Sequence, residues 1–298
     1  RFSSKLVNVY CMKSIVSMVV MVCIALSSTA QSTPETDTIK VGNFVIIKKK
    51  GSDETSTGNS KLNRDSYNLL RVERRPAKRK NLSTNWWILD LGFANLRDNT
   101  NYGFAQTGSY FKTLRPQDGP VNENSYRLNR GKSSNVNLWF FMQKLNISKN
   151  VLNLKYGLGL EMYNFRYDSK ISYNNDPAPY VFNDSISFTK NKLYAGYLTV
   201  PFMININTTP DKRKGFSFSA GVSAGYLISS SNKQISAERG KQKEKADFYM
   251  EPFRLAAIGE VGLGPVRLYG SYSLNKMQKD ITRVEQFPYA IGVRLSTW

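Results

Sequence analysis

Histidine is absent from all 298 residues, and cysteine occurs only twice. Without an imidazole there is no Ser-His or Cys-His nucleophile pair, no histidine metal site and no imidazole proton shuttle. Two cysteines make neither a Cys-rich zinc site nor a disulfide framework. Acidic residues are scarce too: 22 Asp and Glu stand against 42 Lys and Arg, a formal charge of +20. The apolar run Ile15 to Leu26 is too short to cross a bilayer as a stable helix. What the chain does have is aromatics, 17 Tyr, 16 Phe and 4 Trp, and long stretches of alternating polarity.

The first thirty residues read as a targeting segment. Met12-Lys13 looks like the start, the apolar run follows, and Ser28-Thr29-Ala30 supplies small residues at a cleavage site before Gln31. Residues 12–30 are then a signal peptide, and 1–11 an upstream leader or start-site artefact. Cys23 follows Val20-Met21-Val22, which lacks the small residues of a lipid-attachment box. Both Cys11 and Cys23 precede the cut, so the exported chain would be cysteine-free. Residues 31–85 are polar and basic, with a cluster from Arg71 to Lys80, and read as a mostly disordered periplasmic linker. It would be either a solvated spacer or a tether to an acidic or phosphate-bearing partner. Export argues against nucleic acid.

From residue 86 onward apolar side chains recur with period two. Phe216, Phe218, Ala220, Val222, Ala224, Tyr226 and Ile228 share one parity, with Ser or Gly between them. Leu152 to Met162 repeats the pattern against Asn153, Lys155, Gly157, Gly159 and Glu161. Weaker copies start at Trp87, Val136 (with Leu138, Phe140 and Met142), Leu198, Phe253, Val266 and Tyr289. Such alternation specifies two-faced strands. Short connections at 146–150, 208–214 and 262–265 alternate with long ones at 97–134, 168–191, 229–246 and 275–286. An even number of strands joined this way predicts an all-β fold: an eight-stranded antiparallel up-and-down transmembrane β-barrel over 86–298, with long outer loops. The apolar parity would face lipid. The small polar parity would face the lumen, carrying Lys155, Glu161, Arg254, Glu260, Arg267 and Arg294. A soluble two-sheet sandwich alternates as well and is the competing fold.

Tyr197-Leu198-Thr199-Val200-Pro201-Phe202, Trp86-Trp87, Tyr269-Gly270-Ser271-Tyr272 and the terminal Trp298 carry a resemblance. The chain resembles the outer-membrane β-barrel family that includes the PorT-like proteins and small porin-type barrels. Thr199 stands where that family commonly has an acid. Asp37 to Ile47, with Gly42-Asn43, is similar to the leader strand of some members. The resemblance implies a cell outer membrane location, outer-membrane lipid around the barrel, and Trp298 as part of the signal read by the barrel-insertion machinery. It brings no catalytic residues.

Candidate chemistry is thin. Gly221-Val222-Ser223-Ala224-Gly225 matches G-x-S-x-G, but it lies in mid-strand and the chain has no His. Gly259 to Gly264 lacks the order and the following helix of a phosphate loop. The lumen charges either pair and plug the interior or line a pore. The loops are basic and aromatic (Tyr102, Phe104, Tyr110, Phe111 and Tyr126, with Lys233 to Lys245), suited to an envelope protein or an anionic glycolipid, or simply solvated. The expected function is a non-enzymatic structural, binding or secretion- and assembly-accessory barrel without cofactors or metal. The alternative is a passive small-solute channel, which calls for about ten strands, with Tyr180 to Phe188 extending one of them.

Overall fold

The computed structural model describes residues 38–41, 44–47, 81–208 and 215–296. The signal peptide, both cysteines, Gly42-Asn43, most of the 31–85 segment and Trp298 lie outside the described residues. The chain divides into Arg1–Arg79 and Lys80–Trp298. In the first unit, β1 (Thr38–Val41) and β2 (Phe44–Ile47) pair antiparallel as a two-stranded sheet.

In the second unit the alternating stretches become strands. They are β3 (Leu82–Asp98), β4 (Ser134–Ser148), β5 (Leu152–Tyr167), β6 (Ile171–Asn174), β7 (Tyr180–Asn183), β8 (Lys190–Asn207), β9 (Phe216–Ser236), β10 (Gly240–Glu244), β11 (Phe253–Leu263), β12 (Val266–Ser273) and β13 (Gln286–Leu295). Neighbours pair antiparallel in the order β3-β4-β5-β8-β9-β11-β12-β13, and β13 returns to β3. The nine-stranded sheet is this closed ring of eight plus β10, which pairs with β9 beyond it. Closure gives every ring strand two neighbours and so satisfies its backbone groups without water. It also excludes the two-sheet sandwich.

The faces are inverted relative to a soluble protein. Ile291 and Phe253 point outward and are 64% and 66% exposed, while Asp90 and Lys155 point inward and are 0% and 1% exposed. The outward apolar parity continues around the ring through Leu91, Phe202, Ile204, Leu255 and Leu268. Trp87 and Phe140 meet edge to face on this surface, 5.9 Å apart, as do Tyr226 and Phe253, 5.2 Å apart.

Three sequence expectations need correction. The barrel starts at Leu82, four residues before Trp86. Met142 does not face outward with Phe140: an irregularity between Trp139 and Phe141 leaves Phe140 as an extra residue and flips the parity. Met142 is thus fully buried, packed with Ile88, Trp139 and Met203. Residues 229–246 are not a plain loop, because β9 runs on to Ser236 and turns back as β10.

At one end the β4–β5 connection is tight. Lys149 and Asn150 both have positive φ, 47° and 57°, the two-residue turn whose twist suits a hairpin. At the other end β5, β8 and β9 are 16, 18 and 21 residues long. About 9–11 tilted residues cross a bilayer, so these three strands overshoot it and carry the β5–β8 and β9–β11 connections.

Candidate functional site

A polar cluster fills the middle of the ring. Asp90 and Arg294 lie directly opposite each other on β3 and β13. The Arg294 guanidinium donates to both Asp90 oxygens, Nε to Oδ1 and Nη2 to Oδ2, each at 2.6 Å. Its remaining nitrogen, Nη1, pairs with Glu260 Oε1. Glu260 Oε2 accepts from Lys155 Nζ and from Ser219 Oγ at 3.3 Å. The Trp139 indole N–H donates to Asp90 Oδ2 at 2.7 Å, and Asn137 Nδ2 donates to the same oxygen at 3.2 Å. Tyr269 OH reaches Asn135 Oδ1 at 2.7 Å. Lys155–Glu260 (β5 to β11) and Tyr269–Asn135 (β12 to β4) each join strands three places apart in the ring, so the cluster spans the lumen.

A second pair lies nearer the long loops. Arg254 Nη1 binds Glu161 Oε2. Its other nitrogens donate to Ser273 Oγ, Tyr163 OH and Ser271 Oγ, each at 2.7 Å. The guanidinium carbon sits 4.9 Å from the centre of the Tyr163 ring. An arginine held by a carboxylate, three hydroxyls and an aromatic face is fixed in position.

Of the six lumen charges expected from sequence, five thus enter two ion-paired groups. Arg267 also faces inward and donates from Nη1 to Ser217 Oγ at 3.1 Å. The seven buried ring charges, with Asp90 included, are four cations and three anions. Sequence reasoning overlooked Asp90 as a lumen charge, although it shares parity with Gly92. Trp139 was hidden by the bulge. Gly159 makes room for that indole: a Cβ there would lie 2.7 Å from Trp139 Cε3. A cavity of about 20 Å³ beside the cluster holds roughly one water.

Ser223 lies in mid-strand and faces inward opposite Pro201 and Ala256. Its Oγ is buried and has no hydrogen-bond partner among the described residues. A serine with no base beside it is not an activated nucleophile. Among the described residues no three acidic or thiol side chains converge as metal ligands.

The long connections close the outer mouth instead of standing free. Helix α1 (Tyr102–Gln106) and the segment after it bring Tyr110, Phe111, Val121 and Tyr126 into one cluster with Phe165, Tyr167, Ile171, Tyr173, Val181, Phe248 and Met250. Tyr173 meets Phe248 edge to face at 5.5 Å, and the Tyr167 and Tyr173 hydroxyls bond at 2.7 Å. Burial pushes the Tyr110, Tyr126 and Tyr173 hydroxyls above their ordinary pKa, so they stay neutral. The β6–β7 hairpin joins Tyr110 and Lys112 through Val181, whose N–H and C=O bond at 2.8 and 2.9 Å. It is therefore part of the cap, not a ninth and tenth barrel strand. Arg239, in the β9–β10 turn, grips Asp184 with both terminal nitrogens at 2.6 and 3.2 Å. Burial works to raise the Asp184 carboxyl, but the Arg239 bonds and the Ile186 N–H outweigh it and hold it below the ordinary value. Loop aromatics expected on the surface are thus largely interior, with Phe104 an exposed exception.

An apolar exterior, a polar interior and a closed antiparallel ring make a membrane barrel. The family model for the outer membrane protein beta-barrel domain matches residues 89–278. The chain belongs to that family. Its place is the cell outer membrane. Among curated proteins none matches. Among solved structures, the crystal structure of Ail, the attachment invasion locus protein of Yersinia pestis, is 11% identical. That match covers 70% of this chain and 96% of that one, with a TM-score of 0.29.

Proposed function

We propose that this barrel is a non-conducting, non-enzymatic anchor that acts through its outer cap in a structural or binding role. One observation carries the reading: the two carboxylate–guanidinium groups cross the lumen, and the tyrosine-rich loops seal its outer end. A channel needs a continuous wet path, whereas an eight-stranded ring has room for little more than its own side chains. Catalysis needs an activated group, and Ser223 lacks a base. A part in envelope assembly or secretion, as the PorT-like resemblance implies, would run through the cap or through the basic segment ahead of the barrel. Contact with the barrel-insertion machinery would be limited to biogenesis.

The test separates the cap from the wall. Replacing residues 100–131 and 169–188 by short turns leaves the eight ring strands intact. The shortened protein should still migrate as a compact band that boiling converts, yet lose its envelope phenotype. If deleting the cap and, separately, the segment before Leu82 changes neither partner capture nor the envelope, the proposal fails.

A further inference from the structure

Cations line up on the outer wall just above the apolar belt. Arg166 on β5 is opposite Lys192 on β8, Lys192 is opposite Lys233 on β9, and Lys233 is opposite Lys243 on β10. One step further out, Lys190 and Lys241 flank Ile235. Four adjacent strands at about 4.8 Å spacing put the first row within about 15 Å. Among the described residues none of the six forms a salt bridge, and the rows contain no carboxylate. The polar partners present are uncharged: Arg166 Nη2 bonds Thr189 O at 2.7 Å and Lys192 Nζ bonds Asn164 Oδ1 at 2.6 Å. Like charges directly opposed across strands destabilise a sheet. Pairing with an external anion would offset that cost.

We infer that this row binds the phosphorylated headgroup glycan of an outer-leaflet glycolipid. Three features select that ligand. The row spreads point charges over a length that suits several phosphates more than one. It sits on the exterior wall, continuous with the lipid-facing belt, so one amphiphile can lay acyl chains below and anions above. Its height also matters. The row stands four residues beyond Met162, the last apolar outward residue of β5, which is about 13 Å along the strand and about 10 Å in height at the usual tilt. A simple phospholipid headgroup layer is only about 5–7 Å deep, so a sugar-bearing headgroup meets the row better. The site goes beyond the proposed cap function, since it lies on the wall and needs none of the loop core.

The test uses the full folded protein in detergent micelles, with purified phosphorylated lipopolysaccharide as probe. The comparators are the same glycolipid after dephosphorylation, phosphatidylglycerol and inorganic phosphate. Wild-type protein should retain the phosphorylated glycolipid in preference to all three. Lys192→Gln, Lys233→Gln and Lys243→Gln combined should weaken retention about a hundredfold. Lys112→Gln with Lys132→Gln, which removes loop charge elsewhere, should leave it unchanged. Lys192→Arg, Lys233→Arg and Lys243→Arg combined keep the charge and should bind as wild type, and the triple Gln variant must still give the compact band that boiling converts. Equal retention by the triple variant, equal retention of the dephosphorylated glycolipid or of phosphatidylglycerol, or full displacement by millimolar phosphate would each overturn the assignment.

Discussion

Glu260→Gln should cost the folded barrel about 3–5 kcal/mol, the usual penalty for removing one partner of a buried ion pair. Glu260 is the hub of the lumen cluster: one oxygen takes Arg294, and the other takes Lys155 and Ser219. Gln preserves the shape but withdraws the negative charge. Lys155 and Arg294, 1% and 4% exposed, would then sit among four cations and only two remaining anions. Burying charge without compensation is what makes the change expensive, more than the loss of any one hydrogen bond. Urea titration of the protein folded in lipid vesicles measures it. Adding Lys155→Met should recover part of the loss, because it removes the charge that Glu260→Gln strands. A single-variant change under about 1 kcal/mol, with no coupling to Lys155, would mean the cluster does not hold the barrel together.

Gly292→Val should prevent the barrel from closing. Gly92 on β3 and Gly292 on β13 are directly opposed in the pair that joins the last strand to the first. A Cβ on Gly292 would lie 2.3 Å from Leu91 O and 2.5 Å from the Gly92 Cα. Both obstacles are backbone, so no side-chain rotation relieves them. From the other strand, a Cβ on Gly92 would come within 2.6 Å of the Tyr269 hydroxyl, which lies over this gap. Overpacking in an ordinary core costs about 1–3 kcal/mol, but here the clash falls on the seam whose pairing makes the ring. The expected result is loss of the compact, boiling-sensitive band. Ile291→Val, one residue away and facing lipid, should keep it. Normal folding of Gly292→Val would show that the seam has slack these distances deny.

How much of this was legible in the sequence depends on the length scale. Period-two alternation over Phe216 to Ile228 located strand, face and approximate ends, because a side chain's parity in a strand is fixed by geometry. The same parity placed Lys155, Glu161, Arg254, Glu260 and Arg294 on one face without saying which would meet. Pairing depends on register across strands far apart in sequence: Arg294 meets Asp90 204 positions away. Bulges are equally silent. One extra residue at Phe140 sent Met142 inward, and nothing in Trp139-Phe140-Phe141 marks which of three aromatics is the extra one. The cap is hard to read from sequence for another reason. Lys and Arg between Tyr110, Phe111 and Tyr126 lower the local hydrophobicity and read as solvated loop. The strands that overshoot the membrane let those rings pack together while the charged neighbours stay outside.

Single-channel recording in a planar bilayer most directly tests whether the lumen is closed by its own charges. Folded protein, its insertion verified by protection from protease, should give no reproducible conductance steps in molar salt, because Arg294, Glu260 and Lys155 pair across the lumen. Uniform steps that scale with salt and persist across preparations would contradict it. The charge pairs would then be the lining of a pore and not its plug.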